Sequence, residues 1–331
     1  MGYTGLAKGE SGRILYVTDG VFDTTFSGMV RDEKKLSGED YVYIENGVRN
    51  ANYSGIAQSP QGNLCYMKNG KFDTSFTGLA YYKKDGNWYF VNKGYHNPKF
   101  TGVGVSTVGN LCYVTNGKLD LTYTGVAPYQ SETYFFKNGR HDKGFTGIAQ
   151  RSDGSWGVFI RKGQRDTSFS GVALSRDGKW RYCYNGYFSS SYTGVAQSTT
   201  GNWVYVKNGE FNTSFTGVVR STTGNWVFVN NGRFTPSFTG VAKSSTGNWL
   251  FVKNGRVSEA SKNTTGVARS ITGGYVYVYK GYYNEKYTGL ARSITTGDIV
   301  YVTRGRYDTT FNGTARFEGK NYTVKNGRAL K

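Results

Sequence analysis

Apolar residues along this chain fall into short bursts of four or five, separated by glycine and small polar residues, and the bursts return at a nearly constant interval. In Trp226-Val227-Phe228-Val229 alternate side chains face opposite sides of a strand, Val227 and Val229 on one and Trp226 and Phe228 on the other. Both sides are apolar, so both must be covered. An isolated hairpin cannot do this, whereas a stack of neighbouring copies can. The clearest bursts lie between Gly-Asn and Asn-Gly, as in Gly224-Asn225 and Asn231-Gly232. Asn-Gly suits a two-residue type I′ turn, in which both central residues need positive φ, so the chain is expected to reverse there. Beyond the reversal stands Phe-Asp-Thr-Ser-Phe or a variant, such as Phe72-Asp73-Thr74-Ser75-Phe76. Its short polar side chains predict a compact bend held by bonds to nearby amides.

The line repeats fourteen times. Its first glycine, usually in Thr-Gly or Ser-Gly, stands at Gly5, Gly28, Gly55, Gly78, Gly102, Gly125, Gly147, Gly171, Gly194, Gly217, Gly240, Gly266, Gly289 and Gly313. Most steps are 22 to 24 residues, and the two longer ones, after Gly28 and Gly240, read as loop insertions. The expected fold is therefore all-β, a solenoid-like array of stacked β-hairpin repeats of about 23 residues forming a single repeat array over residues 1–331.

Two aromatic positions stand out in each copy. The residue four before the second glycine is aromatic in thirteen of fourteen copies, Thr323 being the exception, as a stacked core spine requires. Two residues earlier the position varies, reading Leu64, Leu111, Thr133 and Tyr275 but also Trp88, Trp180, Trp203, Trp226 and Trp249. Variation favours a partly exposed position, and these tryptophans are the candidate platforms for a ligand. A small residue after the first glycine, as in Val241-Ala242, predicts close approach between copies.

Composition sharpens this picture. Aromatics make up 16% of the chain, with 28 Tyr, 20 Phe and 6 Trp, and 47 Gly accompany only 4 Pro. Such a chain is rich in tight turns and is expected to fold. Lys and Arg number 41 against 22 Asp and Glu, a formal charge of +19. Basic residues flank the Asn-Gly turn at Lys68, Lys71, Lys137, Arg140, Lys207, Arg233, Lys253 and Arg256. Stacked copies would align them into a charged edge suited to an anionic polymer, although lysines also blunt exposed edges with no ligand at all. No specific nucleic-acid recognition is expected. No run of 18 apolar residues exists, so no transmembrane helix is expected, and the start at Met1-Gly2-Tyr3-Thr4-Gly5, already inside the repeat, shows no signal peptide.

Catalytic chemistry finds little support. Cys65, Cys112 and Cys183 match no zinc spacing and read as small buried hydrophobes. His96 and His141 each follow a turn glycine and read as exposed turn residues, with no nucleophile or acid pattern around them. The Asp recurring after the turn (Asp23, Asp73, Asp120, Asp166, Asp308), replaced by Asn212 in one copy and Thr235 in another, reads as a turn cap. No enzyme activity, metal or cofactor is expected.

The order Thr216-Gly217, Gly224-Asn225-Trp226-Val227-Phe228, Asn231-Gly232, repeated along the full length, resembles the cell-wall-binding repeats of Gram-positive surface proteins, the choline-binding and glucan-binding group. The resemblance implies hairpins stacked into a solenoid on a surface or secreted protein, with strand aromatics forming shallow sites for teichoic acid or other cell-wall polysaccharide. By position it implies that Trp203, Tyr205, Trp226, Phe228, Trp249 and Phe251 are platform residues. The family's tryptophan directly after Thr-Gly is Val195, Val218 or Val241 here, which removes one wall of a choline cage. Similarity to MORN repeats is weaker, resting on the period alone. A structural stalk that self-associates without a ligand is the competing expectation.

Overall fold

The computed structural model describes residues 2–151 and 154–330, except for the side chain of Trp156. Its local rule is set at the Asn-Gly turn. In all fourteen copies the residue before the second glycine has φ between 48° and 52°, and that glycine has φ between 69° and 81°. The backbone therefore reverses in two residues, with the positive dihedrals that a type I′ turn demands.

In the copy beginning at Gly194, Gly194–Gln197 pairs antiparallel with Trp203–Lys207, which turns at Asn208-Gly209 into Glu210–Phe211. Hairpin and short third strand make up one unit. The third strand of the next copy crosses back to pair with this one, Arg233 opposite Val204. Each turn thereby becomes part of its predecessor: the Tyr205 amide donates to the Gly232 carbonyl at 2.7 Å, and the Gly232 amide donates to the Phe215 carbonyl at 2.9 Å. The threonine of Thr-Gly has a task too, since the Asn231 amide donates to Thr216 Oγ1 at 2.9 Å. Approach is close at the first glycine as well, where a Cβ on Gly217 would lie 2.5 Å from the Lys243 carbonyl oxygen.

Residues 1–166 and 167–331 form two compact units. Both are built from these copies, and the described chain is all-β apart from one short helix, Glu259–Lys262. Within the first unit, Met29 and Tyr43 of one copy pack on Ala57, Cys65 and Met67 of the next. Within the second, Val195 and Tyr205 pack on Val219, Val227 and Val229. The two apolar strand faces are thus covered by neighbours on either side. The aromatic face of one copy meets the aliphatic face of the following one.

The spine aromatic stacks on the ring ten residues later, which is the one preceding the next Thr-Gly. Ring centroids are 3.6 Å apart for Tyr43 and Tyr53, 3.5 Å for Tyr113 and Tyr123, and 3.8 Å for both Phe228 and Phe238 and Tyr277 and Tyr287. Where the second ring is tyrosine, its hydroxyl donates to a carbonyl three residues on, as from Tyr192 to Val195 at 3.0 Å. The bend is capped by the aspartate: Asp73 accepts from the Ser75 amide at 2.8 Å and from its hydroxyl, and Asn212 does the same for Ser214.

Only one of the two long steps proves to be a plain loop insertion. After Gly28, residues 32–40 are a loop organised by the buried Asp32, whose carboxylate accepts from the Leu36 and Ser37 amides and the Ser37 hydroxyl. Burial raises the Asp32 pKa, but the bonds from Ser37 and Leu36 and the charge of Arg49 together lower it more, leaving a net depression. After Gly240 the extra residues form Glu259–Lys262, a helix N-capped by Ser258, because the Ser-x-x-Ser spacing lets Ser258 Oγ accept the Ser261 amide.

Candidate functional site

The register of the third strand decides what can meet on the surface. Its first residue lies opposite an aliphatic residue of the preceding copy, giving Val204–Arg233, Val227–Arg256 and Val276–Arg306. Directly opposed residues project to the same side of a sheet. The arginines therefore stand over the aliphatic floor of a groove, and the tryptophan of the copy before that one forms its wall.

Three such grooves lie in the unit of residues 167–331, each drawing on three consecutive copies. The first, about 110 Å³, is lined by Trp180, then Ser198, Thr200, Asn202, Val204 and Phe211, then Arg233. The second, about 20 Å³, repeats the set one copy on with Trp203, Ser221, Thr223, Val227, Phe234 and Arg256. The third is widest at about 480 Å³, where Trp249, Ser270, Thr272, Tyr275, Tyr283, Arg306 and Tyr307 converge. Hydroxyls on the rim are held by each other: Ser198 and Thr200 lie 2.9 Å apart, Ser221 and Thr223 2.8 Å, and Ser270 and Thr272 2.9 Å. The loop carrying them is anchored to the preceding copy, the Thr199 amide donating to the Val172 carbonyl at 2.8 Å and Thr222 to Val195 at 2.8 Å.

The candidate residues divide by depth. Trp88, Trp180, Trp203, Trp226 and Trp249 are half-buried, each leaning on a core cluster while keeping part of its surface open. Tyr205, Phe228 and Phe251 are 6%, 2% and 2% exposed, which corrects their assignment as platforms. Their side chains point between copies, where Tyr205 and Phe228 stack on Phe215 and Phe238, so they belong to the spine. Lys68, Lys71, Lys137, Arg140, Lys207, Arg233, Lys253 and Arg256 are all exposed. Six of these positions face a like charge directly across the turn, in the pairs Lys68–Lys71, Lys137–Arg140 and Lys253–Arg256, whereas Lys207 faces Glu210.

Arg233 and Arg256 are groove residues as well as edge residues, a double role that the sequence pattern concealed. Arg306, Tyr275, Tyr283 and Tyr307 were outside the candidate set altogether. The signal that finds them is an offset: the arginine two copies after a tryptophan shares its groove.

In one copy the groove is closed by ions. Arg181 stands where other copies carry Val204 or Val227, is 3% exposed, and donates to Asp177 through both terminal guanidinium nitrogens at 2.7 Å and to Glu210 through Nε at 3.1 Å. Asp177 replaces the rim threonine and Glu210 replaces the groove arginine. Arg181 holds the Asp177 carboxyl well below the ordinary carboxylate range, chiefly through its hydrogen bond.

The histidines are not exposed turn residues. His96 and His141 end the third strand half-buried, edge-on to Tyr89 and Tyr134 at 5.0 and 5.1 Å, and burial lowers the pKa of both. The three cysteines are free and buried. Among the described residues no group of three or more His, Cys, Asp or Glu is placed to hold a metal ion, and no helix is long and apolar enough to cross a membrane.

No curated protein matches the sequence. Among solved structures, an alternansucrase in complex with isomaltononaose is similar at 14% identity over 80% of this chain, with a TM-score of 0.27, and the chain spans 19% of that enzyme. A streptogramin B lyase at 11% identity covers 98% of this chain and 91% of its own with a TM-score of 0.10, and a virginiamycin B lyase from Staphylococcus aureus at 12% covers 98% and 84% with 0.09. At TM-scores this low none of the three bears on function. The choline-binding repeat model matches residues 75–97, 191–209, 214–233 and 237–258, and these include Trp203 of the second groove and the arginines of the first two, Arg233 and Arg256, but not Trp180. Four of the hairpin copies are accordingly similar to choline-binding repeats.

Proposed function

We propose that the fourteen copies act as a single array that binds cell-wall or extracellular glycan non-catalytically and multivalently, as part of a surface or secreted protein. The observation that carries this reading is the recurrence of one composite groove, with a half-open tryptophan, paired hydroxyls and an arginine, at intervals of one copy. Aromatic faces cover the apolar face of a pyranose, hydroxyls exchange hydrogen bonds with its substituents, and a guanidinium pairs with an anionic group. Single sites this shallow bind weakly, but linked copies on a repeating polymer raise avidity without any new contact.

Co-sedimentation with purified Gram-positive cell walls tests the proposal. Saturable binding is expected, and it should be weakened by Trp180→Ala and Trp203→Ala together. Extracting teichoic acid and varying salt separates the partners: loss on extraction with steep salt dependence points to the anionic polymer, and retention points to polysaccharide. Absence of binding in every arm would favour a ligand-free stalk, for which the stacked aromatic spine within each unit would suffice.

A further inference from the structure

The three grooves share a plan but differ in capacity. Only the Trp249 groove, at about 480 Å³, falls in the range of about 300–1,000 Å³ usual for small-molecule sites. Its aromatic lining is also the richest. Tyr275, 45% exposed, stands edge-on to Tyr307 with centroids 6.3 Å apart, and Tyr283 and Trp249 complete the wall. The chain places Tyr275 where other copies carry tryptophan, and the register brings Arg306 opposite Val276 on the same side.

Arg306 has no acid partner in this groove. Among the described residues no carboxylate lies within ion-pair distance of Arg306, although the chain pairs exposed cations elsewhere, as in Arg292–Glu318 at 3.5 Å. A second cation lies nearby, since Arg328 interacts with Tyr307, and it is also within electrostatic reach of Asp298. The molecule shows in the Arg181 copy what the same site takes when it is filled from within. There a carboxylate from the rim, Asp177, seats bidentately on a guanidinium beside Ser175, whose hydroxyl also contacts that guanidinium. In the Trp249 groove the rim residue is Thr272 rather than an acid, the serine is Ser270, and the guanidinium comes from the third strand. The hydroxyls and the cation are present, and the carboxylate is missing.

We infer that the groove of Trp249, Tyr275, Tyr283, Arg306 and Tyr307 is a binding site for a carboxylate-bearing sugar, a hexuronic acid unit within a polysaccharide. The rings cover the apolar face of the pyranose, Ser270 and Thr272 face its hydroxyls, and Arg306 takes the carboxylate as Arg181 takes Asp177. The same arginine disfavours a quaternary ammonium group, so the site is opposite in charge preference to a choline cage. The inference rests on the glycan-binding reading above and names the sugar class for one site.

Titration calorimetry on the full chain tests it with four probes: trigalacturonic acid, neutral isomaltotriose, choline and glycerol 3-phosphate. The acidic trisaccharide is expected to bind saturably at least about tenfold more tightly than isomaltotriose, with an affinity that falls as salt rises. Arg306→Gln, an exposed substitution expected to leave the melting temperature unchanged, should remove that preference, and Tyr275→Ala should weaken both saccharides. Equal affinity for the acidic and neutral trisaccharides, tighter binding of choline or glycerol 3-phosphate, or an unaltered preference in Arg306→Gln would each overturn the inference. Cell-wall co-sedimentation of the same preparations keeps the two levels apart. Walls bound without any uronate preference would remove only this site assignment, whereas failure to bind walls and every saccharide would remove the glycan-binding reading as well.

Discussion

Replacing Gly232 by alanine isolates the contact that turns a string of hairpins into a stack. Two costs arise there. Gly232 has φ +72°, where an added Cβ costs about 1 kcal/mol in backbone conformation. That Cβ would also lie 2.1 Å from the Asn212 carbonyl oxygen and 3.0 Å from the Thr213 Cα, both backbone atoms of the preceding copy. The turn must therefore move outward, breaking the bond from Gly232 to Phe215 and the one from Tyr205 to Gly232, each contributing about 1 kcal/mol. The sum is about 3 kcal/mol. Gly201→Ala is the control: its φ of +84° brings the same conformational cost, but nothing lies within 4 Å, so about 1 kcal/mol is expected. Because copies interact with nearest neighbours, the damage should be local and a single melting temperature would blur it. Amide hydrogen exchange reads it directly. Protection at Tyr205 should fall about 30-fold more in Gly232→Ala than in Gly201→Ala, corresponding to the excess of about 2 kcal/mol. Equal losses in the two variants would show that the turn's crossing to its neighbour contributes nothing to stability.

Phe228→Ala empties a spine position that is 2% exposed and should cost about 3–5 kcal/mol in local exchange protection, whereas Trp226→Ala, half-open, should cost clearly less. Lys280 occupies the left-handed turn position at φ 48° where most copies have asparagine, so Lys280→Asn should stabilise its copy by about 0.5 kcal/mol in urea unfolding, without altering the groove. Asp73 and Asp120 are held below the ordinary value of 3.8 chiefly by the Ser75 and Thr122 hydroxyls. Their folded pKa lies below the unfolded one, so the stability they add is complete above about pH 4 and is lost as pH falls through the folded values; Asp73→Asn should flatten that acid slope in unfolding measured between about pH 5 and pH 2. Burial pushes the Cys183 thiol up to about 12 and raises Cys65 and Cys112, so a thiolate-directed reagent at about pH 8 should label none of them until the chain is unfolded.

The repeat is legible in the sequence because its determinants are local. Both positive dihedrals at Asn231-Gly232 and the Asp73 cap depend on residues within a few positions of each other, and the alternation in Trp226-Val227-Phe228-Val229 shows that both strand faces must be covered. The helix Glu259–Lys262 was missed because a four-residue helix carries too short a pattern to distinguish it from a loop. Tyr205, Phe228 and Phe251 were misread as platforms because alternation says which residues share a face and is silent on how deep that face lies.

By itself, then, the sequence determined the period, the turn type, the strand faces and the resemblance to cell-wall-binding repeats. It presented the aromatic and basic positions as two separate features of each copy, one on the strand and one at the turn. Only the tertiary structure decided that they meet. The third strand of each copy pairs one copy back and the tryptophan wall comes from one copy further, so Trp180 and Arg233, or Trp249 and Arg306, reach one groove from more than fifty residues apart. That meeting depends on strand register between copies. Register is set by the clamp of each turn glycine against its predecessor, a contact that exists only once the copies have stacked.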